Sequence, residues 1–204
     1  MLLRILPWLL ILYLGVAFGL SFSLVKFVSQ AGINPIVIGF WQSFMSSILL
    51  FVFCNYRGNT IPLTFDSMKI YIILAVTGNI IPSMCFYISA PNVTAGILSL
   101  TLSLVPVFAY GLALLLRLEE FSKVRSFGLL LSFSAICTLV IPGGNISDNP
   151  SSIWTLIACF GPIFIASTNI YISSNQLRKL HPINLAFGMN FIATLLLYPA
   201  VLYA

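Results

Sequence analysis

Five polar side chains within strongly apolar segments of the sequence are candidates for binding chemistry: three amides, one phenol and one ammonium group. The residues are Gln42, Asn79, Asn169, Tyr171 and Lys26. Amides and phenols exchange hydrogen bonds without carrying charge, which makes them less costly than ions in an apolar medium. The pattern predicts that these residues bind a small molecule or line a pore. The alternatives are hydrogen bonds between helices for each amide, and a Lys26 ammonium that reaches the membrane interface along its own stem.

Two prolines within apolar segments, Pro82 and Pro106, are candidate helix breaks. Pro82 follows Asn79 by three residues, and Pro106 lies near the centre of the next segment. Proline removes a backbone donor and clashes with the preceding turn, so a helix bends there and its freed polar groups must face protein or water. Pro82 and Pro106 are therefore predicted to be helix breaks or hinges beside a cavity near the middle of the membrane.

The other reactive residue types point to no catalysis. Cys54, Cys85, Cys137 and Cys159 are dispersed and form no CxxC pair, and His181 has no nearby cysteine or carboxylate. We therefore expect no metal site, no cofactor and no enzyme activity, because the sequence contains neither a nucleophile–base pair nor a glycine-rich phosphate loop.

The composition requires lipid as the principal solvent. Only 6% of residues are charged and 60% are hydrophobic, with a mean hydropathy of +1.08. Soluble domains carry about 25% charged residues. The net charge of +5 reflects membrane orientation and does not indicate a nucleic-acid partner.

Seven apolar stretches are long enough to span a bilayer of about 30 Å as helices. They are Trp8–Val28, Pro35–Phe53, Ile70–Ile88, Val93–Leu116, Val124–Ile141, Ile153–Ser173 and Ile183–Tyr203. The sequence thus predicts an all-α, polytopic transmembrane helix bundle.

Basic residues predict the orientation of these spans. Eight of the nine Lys and Arg residues fall before the first span or in or at the edge of every second gap, and only Lys26 lies on the other side. Cytoplasmic loops accumulate Lys and Arg. We expect a cell-membrane protein with its N-terminus and the turn at 115–124 in the cytoplasm and Ala204 outside.

A turn-rich outer linker at 142–152 separates five helices from two. Because five crossings reverse the direction of the chain, a repeat of the first unit would be inverted, which is a common device of transporters. Aligning Pro35 with Pro182 pairs Phe40 with Phe187. This alignment suggests an inverted repeat.

Over residues 8–141 the chain resembles the EamA-like branch of the drug/metabolite transporter superfamily. The matching features are Gly19 followed by Lys26, Pro35 at the start of helix 2, and Pro106 within helix 4. Glu119, Ser122 and Gly128 then follow at the interval found in the family. Three positions depart from the pattern: Phe18 replaces a Trp, Leu118 a Gly, and Gln42 an Arg, which removes a positive charge.

The resemblance implies transport of small organic solutes, with export of amino acids or other metabolites as one form of it. It also implies ten helices in two inverted units that work by alternating access. We therefore expect one five-helix unit (8–141) and two helices of a second, inverted unit (153–204). The alternative is a truncated or degenerate protein that inserts without transporting alone, or an assembly partner such as one half of a homodimer.

Overall fold

The computed structural model describes residues 2–58, 62, 64–140, 150–173 and 181–203. Every regular element in these ranges is helical, so the predicted all-α class is confirmed. Residues 142–149 of the predicted outer linker, the basic pair Arg178 and Lys179, and Ala204 lie outside the described residues. The last three residues of that predicted linker, 150–152, are not a linker, because α8 already begins at Pro150.

The described bundle contains seven helical segments, which we call rods, and two of these rods are built from two consecutive helices each. The elements are α1 (Leu2–Gln30), α2 (Pro35–Tyr56), α3 (Phe65–Leu74), a π-helical turn (Ala75–Ile80), α4 (Ile81–Ser89), α5 (Ala95–Thr101), α6 (Leu104–Leu115), α7 (Lys123–Val140), α8 (Pro150–Ser173) and α9 (Pro182–Leu202).

Six of the rods are long and apolar enough to cross a membrane: α1, α2, α3–α4, α5–α6, α8 and α9. The remaining helix, α7, corresponds to the predicted fifth span and has 18 residues up to Val140, where this described range ends. The chain is a multi-pass membrane protein.

Two helices begin five or more residues earlier than predicted. The first starts at Leu2 and not at Trp8, and the third starts at Phe65 and not at Ile70. Hydropathy marks where hydrocarbon begins, whereas a helix continues until its backbone is capped. For α3 the cap is Thr64, whose side chain accepts a hydrogen bond from the backbone N–H of Ser67.

The predicted fourth helix, Val93–Leu116, is not continuous. It breaks at Leu102 and Ser103, where the N–H groups of Leu102, Ser103 and Val105 each bond to a carbonyl only three residues back. Pro106 explains this tightening, because its ring would clash with the Leu102 carbonyl and it has no N–H to donate.

Proline also begins α2 and α9, and in each case the preceding residue caps the helix. Asn34 Oδ1 accepts from the Ile36 N–H at 3.0 Å, and His181 Nδ1 accepts from the Ile183 N–H at 3.4 Å. A proline in the first turn costs no hydrogen bond, since those N–H groups have no helical partner.

The most extensive helix pairings are α2 with α9, α4 with α8, and α6 with α8. Two aromatic pairs show that α2 and α9 are antiparallel: Phe40 with Tyr198 at 6.2 Å and Phe51 with Phe187 at 5.8 Å between ring centroids. By contrast, α1 is anchored mainly by its C-terminal half. There Phe22 packs edge-to-face on Phe86, with 5.4 Å between the ring centroids.

Candidate functional site

Near its middle, the α3–α4 rod widens into the π-helical turn Ala75–Ile80. The backbone N–H of Ile81 bonds to the carbonyl of Val76, five residues back. Pro82, the second residue of α4, cannot donate to Gly78, and its ring would clash with that carbonyl in a regular helix. The wider turn relieves both problems, and such turns are frequent at functional sites.

Packing fixes the π-helical turn against two further helices. A Cβ on Gly78 would lie 2.8 Å from Cγ2 of Thr168 and 3.3 Å from Sδ of Met189, so α8 and α9 approach this backbone closely. The Thr168 hydroxyl also donates to that of Thr77 at 3.0 Å. The turn is therefore packed against both α8 and α9.

Four side chains form a polar cluster around this turn: Ser43, Asn79, Ser83 and Asn190. The Asn79 amide donates to Asn190 Oδ1 at 3.0 Å and to Ser43 Oγ at 3.4 Å, and its oxygen accepts from Ser83 Oγ at 3.5 Å. Ser43 is buried, and the two asparagines are half-buried. The cluster thus joins α2, the π-helical turn, α4 and α9 by hydrogen bonds between uncharged groups.

Asn190 was absent from the sequence-based prediction of the site. The sequence did contain a signal for Asn190, because an amide near the centre of a membrane span is unusual, and the same reasoning had identified Asn79. Asn190 also follows Pro182 by eight residues, and Ser43 follows Pro35 by eight. The proposed alignment of the two prolines therefore places these two members of the cluster at equivalent positions.

A cleft of about 410 Å³ adjoins the polar cluster, and we call it the α1–α2 cleft. Its described lining is uncharged and comes from five parts of the bundle: Phe18, Ser21, Phe22, Leu24, Val25, Val28, Ile38, Gln42, Gly78, Pro82, Ser83, Phe86, Tyr87, Leu102 and Ile165. Ser83 belongs to both the cleft and the cluster. The cleft is of a size that suits a small organic molecule.

A second and larger cleft, of about 1240 Å³, lies between α6, α7 and the C-terminal end of α8. We call it the α6–α8 cleft. Pro106, Asn169 and Tyr171 line it, beside the ion pair between Glu119 and Arg125 at 2.7 Å. Its position near the ends of α6 and α8 puts it in the opposite half of the bundle from Lys26.

Lys26 lies in neither cleft lining. Its ammonium donates to the carbonyl oxygens of Ala90 and Pro91, both at 2.8 Å. These carbonyls follow α4, where a cation also complements the negative end of the helix dipole. Lys26 therefore joins α1 to the turn between α4 and α5.

The predicted residues thus separate into three places. Gln42 and Pro82 line the α1–α2 cleft, with Asn79 in the adjoining polar cluster. Pro106, Asn169 and Tyr171 line the α6–α8 cleft. Lys26 lies at the turn between α4 and α5. Gln42 and Asn169 are exposed, because each lies on the wall of an open cleft.

No group of three His, Cys, Asp or Glu side chains is arranged to hold a metal ion in the ranges that the structure describes. The single histidine caps α9, and the Glu119 carboxylate pairs with Arg125. The chemistry available at the two clefts is hydrogen bonding, aromatic contact and one exposed ion pair.

Comparison with known proteins identifies the family. The model of the EamA-like transporter family matches residues 6–141, about two thirds of the chain. No curated protein and no solved structure matches the sequence. The matched region agrees with the resemblance at residues 8–141, and this is a transporter family, not an enzyme family. The chain therefore belongs to the EamA-like transporter family.

Proposed function

We propose that the protein moves small uncharged or zwitterionic organic solutes across the cell membrane by alternating access. The polar cluster is the observation that carries this proposal. Its amides and hydroxyls join three rods at the level of the π-helical turn, beside a cleft of suitable size. Such groups can exchange their bonds to each other for bonds to a solute at low cost in free energy.

The chemistry of the α1–α2 cleft favours a solute without net charge. Its lining contains aromatic rings and the polar groups of Gln42, Ser83 and Tyr87, with no ionised side chain among the described lining residues. An isolated ion would lose its hydration there without gaining a counter-ion. A zwitterion keeps zero net charge and uses the amides for its polar groups.

Two features of α2 and α9 support inverted units. Each helix begins with a proline that follows a capping side chain. Their aromatic contacts also use matched positions, because Phe40 and Phe187 both lie five residues after the proline. Phe51 and Tyr198 both lie sixteen residues after it. Each aromatic contact therefore joins the fifth position of one helix to the sixteenth position of the other. Antiparallel packing through the same face is what inverted repeats produce.

The two helix irregularities supply points of bending for such a cycle. The π-helical turn lies beside the α1–α2 cleft, and the break at Leu102–Ser103 precedes Pro106 in the wall of the α6–α8 cleft. Since the clefts lie in opposite halves of the bundle and both border α8, bending at these points would open one half and close the other.

Transport by purified protein in liposomes tests the role of the cluster. Asn79→Leu removes the donor to Ser43 and Asn190 and should lower saturable uptake of a neutral or zwitterionic solute by about tenfold. Insertion should continue, because one hydrogen bond between membrane helices averages about 0.6 kcal/mol. The control is Ser167→Ala, whose exposed hydroxyl bonds within α8 to Ile163. Equal uptake by the Asn79→Leu and Ser167→Ala variants would contradict the proposal.

A second candidate function is that the chain transports only when two copies associate. The α6–α8 cleft is large, and the flanking helix α7 leaves Phe127 and Leu130 exposed. Reconstitution at different protein densities tests this. Uptake proportional to the number of copies per vesicle supports a transporting monomer, whereas dependence on the square of that number supports the paired form.

A further inference from the structure

Ser83 belongs to the polar cluster and also lines the α1–α2 cleft, so its hydroxyl connects the two. It lies in the first turn of α4, directly after Pro82. A hydroxyl has one hydrogen to donate and two lone pairs that accept. The hydrogen bonds that Ser83 makes inside the bundle therefore decide which of these it offers to a molecule in the cleft.

The direction of the hydrogen bonds in the cluster is fixed on α9. There the Asn190 side-chain amide donates to the backbone carbonyl of Ala186 at 2.8 Å. A carbonyl oxygen only accepts, so this contact requires the NH₂ group of Asn190. The other end of the same amide, Oδ1 of Asn190, then points to Asn79 as an acceptor.

The same reasoning carries the direction from Asn190 to Ser83. The Asn79 nitrogen lies 3.0 Å from Asn190 Oδ1, and a reversed Asn79 amide would place two oxygens against each other. Asn79 therefore turns its own oxygen to Ser83, whose Oγ lies 3.5 Å away. Because an amide oxygen also only accepts, the Ser83 hydroxyl donates its hydrogen to Asn79 and not to the cleft.

Ser83 consequently presents oxygen lone pairs to the α1–α2 cleft. The Tyr87 side chain also interacts with that of Ser83, but a phenol that donates there occupies only one of the two lone pairs. The hydrogen bonds run from α9 through the π-helical turn to α4, between half-buried side chains. Their direction is thus set within the bundle and does not depend on what covers its outer faces.

We propose that Ser83 is a specificity-determining acceptor in the α1–α2 cleft, which selects solutes that carry an N–H or O–H donor. This rests on the proposed function, for which it narrows the substrate class. Alcohols, secondary amides and the ammonium end of a zwitterion carry such a donor, whereas ethers, esters and tertiary amides only accept. Gln42, in the same lining, both donates and accepts, so it does not separate the two classes. Asn79 and Asn190 act through Ser83, because they set the direction of its hydroxyl.

Binding of an alcohol and of its ether isomer tests this selection. The two probes, 3-phenylpropan-1-ol and 2-phenylethyl methyl ether, have the same formula and one aromatic ring each, but only the alcohol has a hydrogen to donate. Each competes with tritiated alcohol for the full chain in lipid nanodiscs, and nanodiscs without protein correct for partition into lipid. The parent protein should bind the alcohol about fivefold more tightly, the order expected for one hydrogen bond.

Two variants separate the acceptor from the residue that positions it. Ser83→Ala removes the acceptor and should bring the ratio of the two affinities close to one. Asn79→Leu frees the Ser83 hydroxyl to donate to the ether, so the affinity for the ether should rise about fivefold. A variant that merely loosened the fold would lower both affinities together. The control is Thr194→Val, whose lost hydroxyl bonds to the Asn190 backbone carbonyl, and it should leave the ratio unchanged.

Equal affinities of the parent protein for the two isomers would overturn the proposal, as would an unchanged ratio in the Ser83→Ala variant or the absence of protein-dependent binding. A fall in both affinities in the Asn79→Leu variant would refute the positioning role of Asn79. Because binding requires no solute flux, this inference and the proposed transport fail separately. Selective binding without uptake in liposomes would refute transport alone, whereas uptake of both isomers at equal rates and equal affinities would refute the selection alone.

Discussion

At the scale of single residues, the polar groups within the membrane spans divide into those that the fold satisfies and those that it leaves to a cleft. Asn79 and Lys26 make two hydrogen bonds each as donors to other parts of the chain. Gln42 and Asn169 are exposed on cleft walls. The first pair stabilises the bundle, and the second pair is the better guide to where a solute binds.

Replacement of Lys26 by Met should destabilise the fold by about 2 kcal/mol. Hydrogen bonds from a charged donor contribute about 1.5–3 kcal/mol each when partly buried, and water can recover some of the loss at the exposed Pro91 carbonyl. The measurement is the free energy of unfolding in mixed micelles, with Lys26→Arg as the control that keeps a donor. If the Met variant is as stable as the parent protein, Lys26 does not anchor α1, and a direct role with solute becomes the better explanation.

At the scale of helices, Pro82 and Pro106 have opposite effects. Pro82 follows a widened π-helical turn, whereas Pro106 follows a tightened stretch with bonds three residues back. Both changes remove the clash between the proline ring and the carbonyl four residues earlier. The widened turn adds about one residue to the rod, which turns Asn79 by about 100° relative to a regular helix.

Pro82→Ala should therefore uncouple Asn79 from Asn190. With the proline gone, a regular helix regains its hydrogen bond and re-aims the Asn79 side chain. A double-mutant cycle with Asn79→Ala and Asn190→Ala should give a coupling of roughly 0.6–1.7 kcal/mol in the parent protein and nearly zero in the Pro82→Ala background. Pro199→Ala, within α9, is the matched control. An unchanged coupling would mean that packing of Gly78 on Thr168, and not the proline, maintains the π-helical turn.

At the scale of the whole molecule, the bundle is held together by the packing of α2 on α9 and of α8 on both α4 and α6. The first pairing joins helices far apart in sequence, on either side of the 142–149 segment. The polar cluster lies across this same pairing, because Ser43 belongs to α2 and Asn190 to α9. The proposed site therefore depends on contacts made late in the chain.

The sequence predicted the helical class and the approximate spans, because hydrophobic length is set by the bilayer and is independent of tertiary contacts. The helix starts at Leu2 and Phe65 were not predicted, since they depend on caps. Pro106 predicted a break in its helix, but the position of that break at Leu102 and Ser103 depends on how the chain accommodates the proline. The sequence identified Asn79 but not its partner Asn190. The apolar residues around an amide show from sequence alone that it is unusual inside a membrane span, whereas tertiary packing decides which amides contact each other.

The orientation of the molecule can be tested at two exposed turns. Cys54, Cys85, Cys137 and Cys159 would first be replaced by alanine, and a single cysteine introduced as Ala31→Cys, between α1 and α2, or as Glu120→Cys, between α6 and α7. Because Lys and Arg cluster with the second turn, that turn should be cytoplasmic. An impermeant maleimide should label the Ala31→Cys protein in intact cells and the Glu120→Cys protein only after permeabilisation. The reverse pattern would invert the proposed topology and put the α1–α2 cleft in the cytoplasmic half of the membrane. Labelling of both variants in intact cells would show that the charge bias is too weak to fix one orientation.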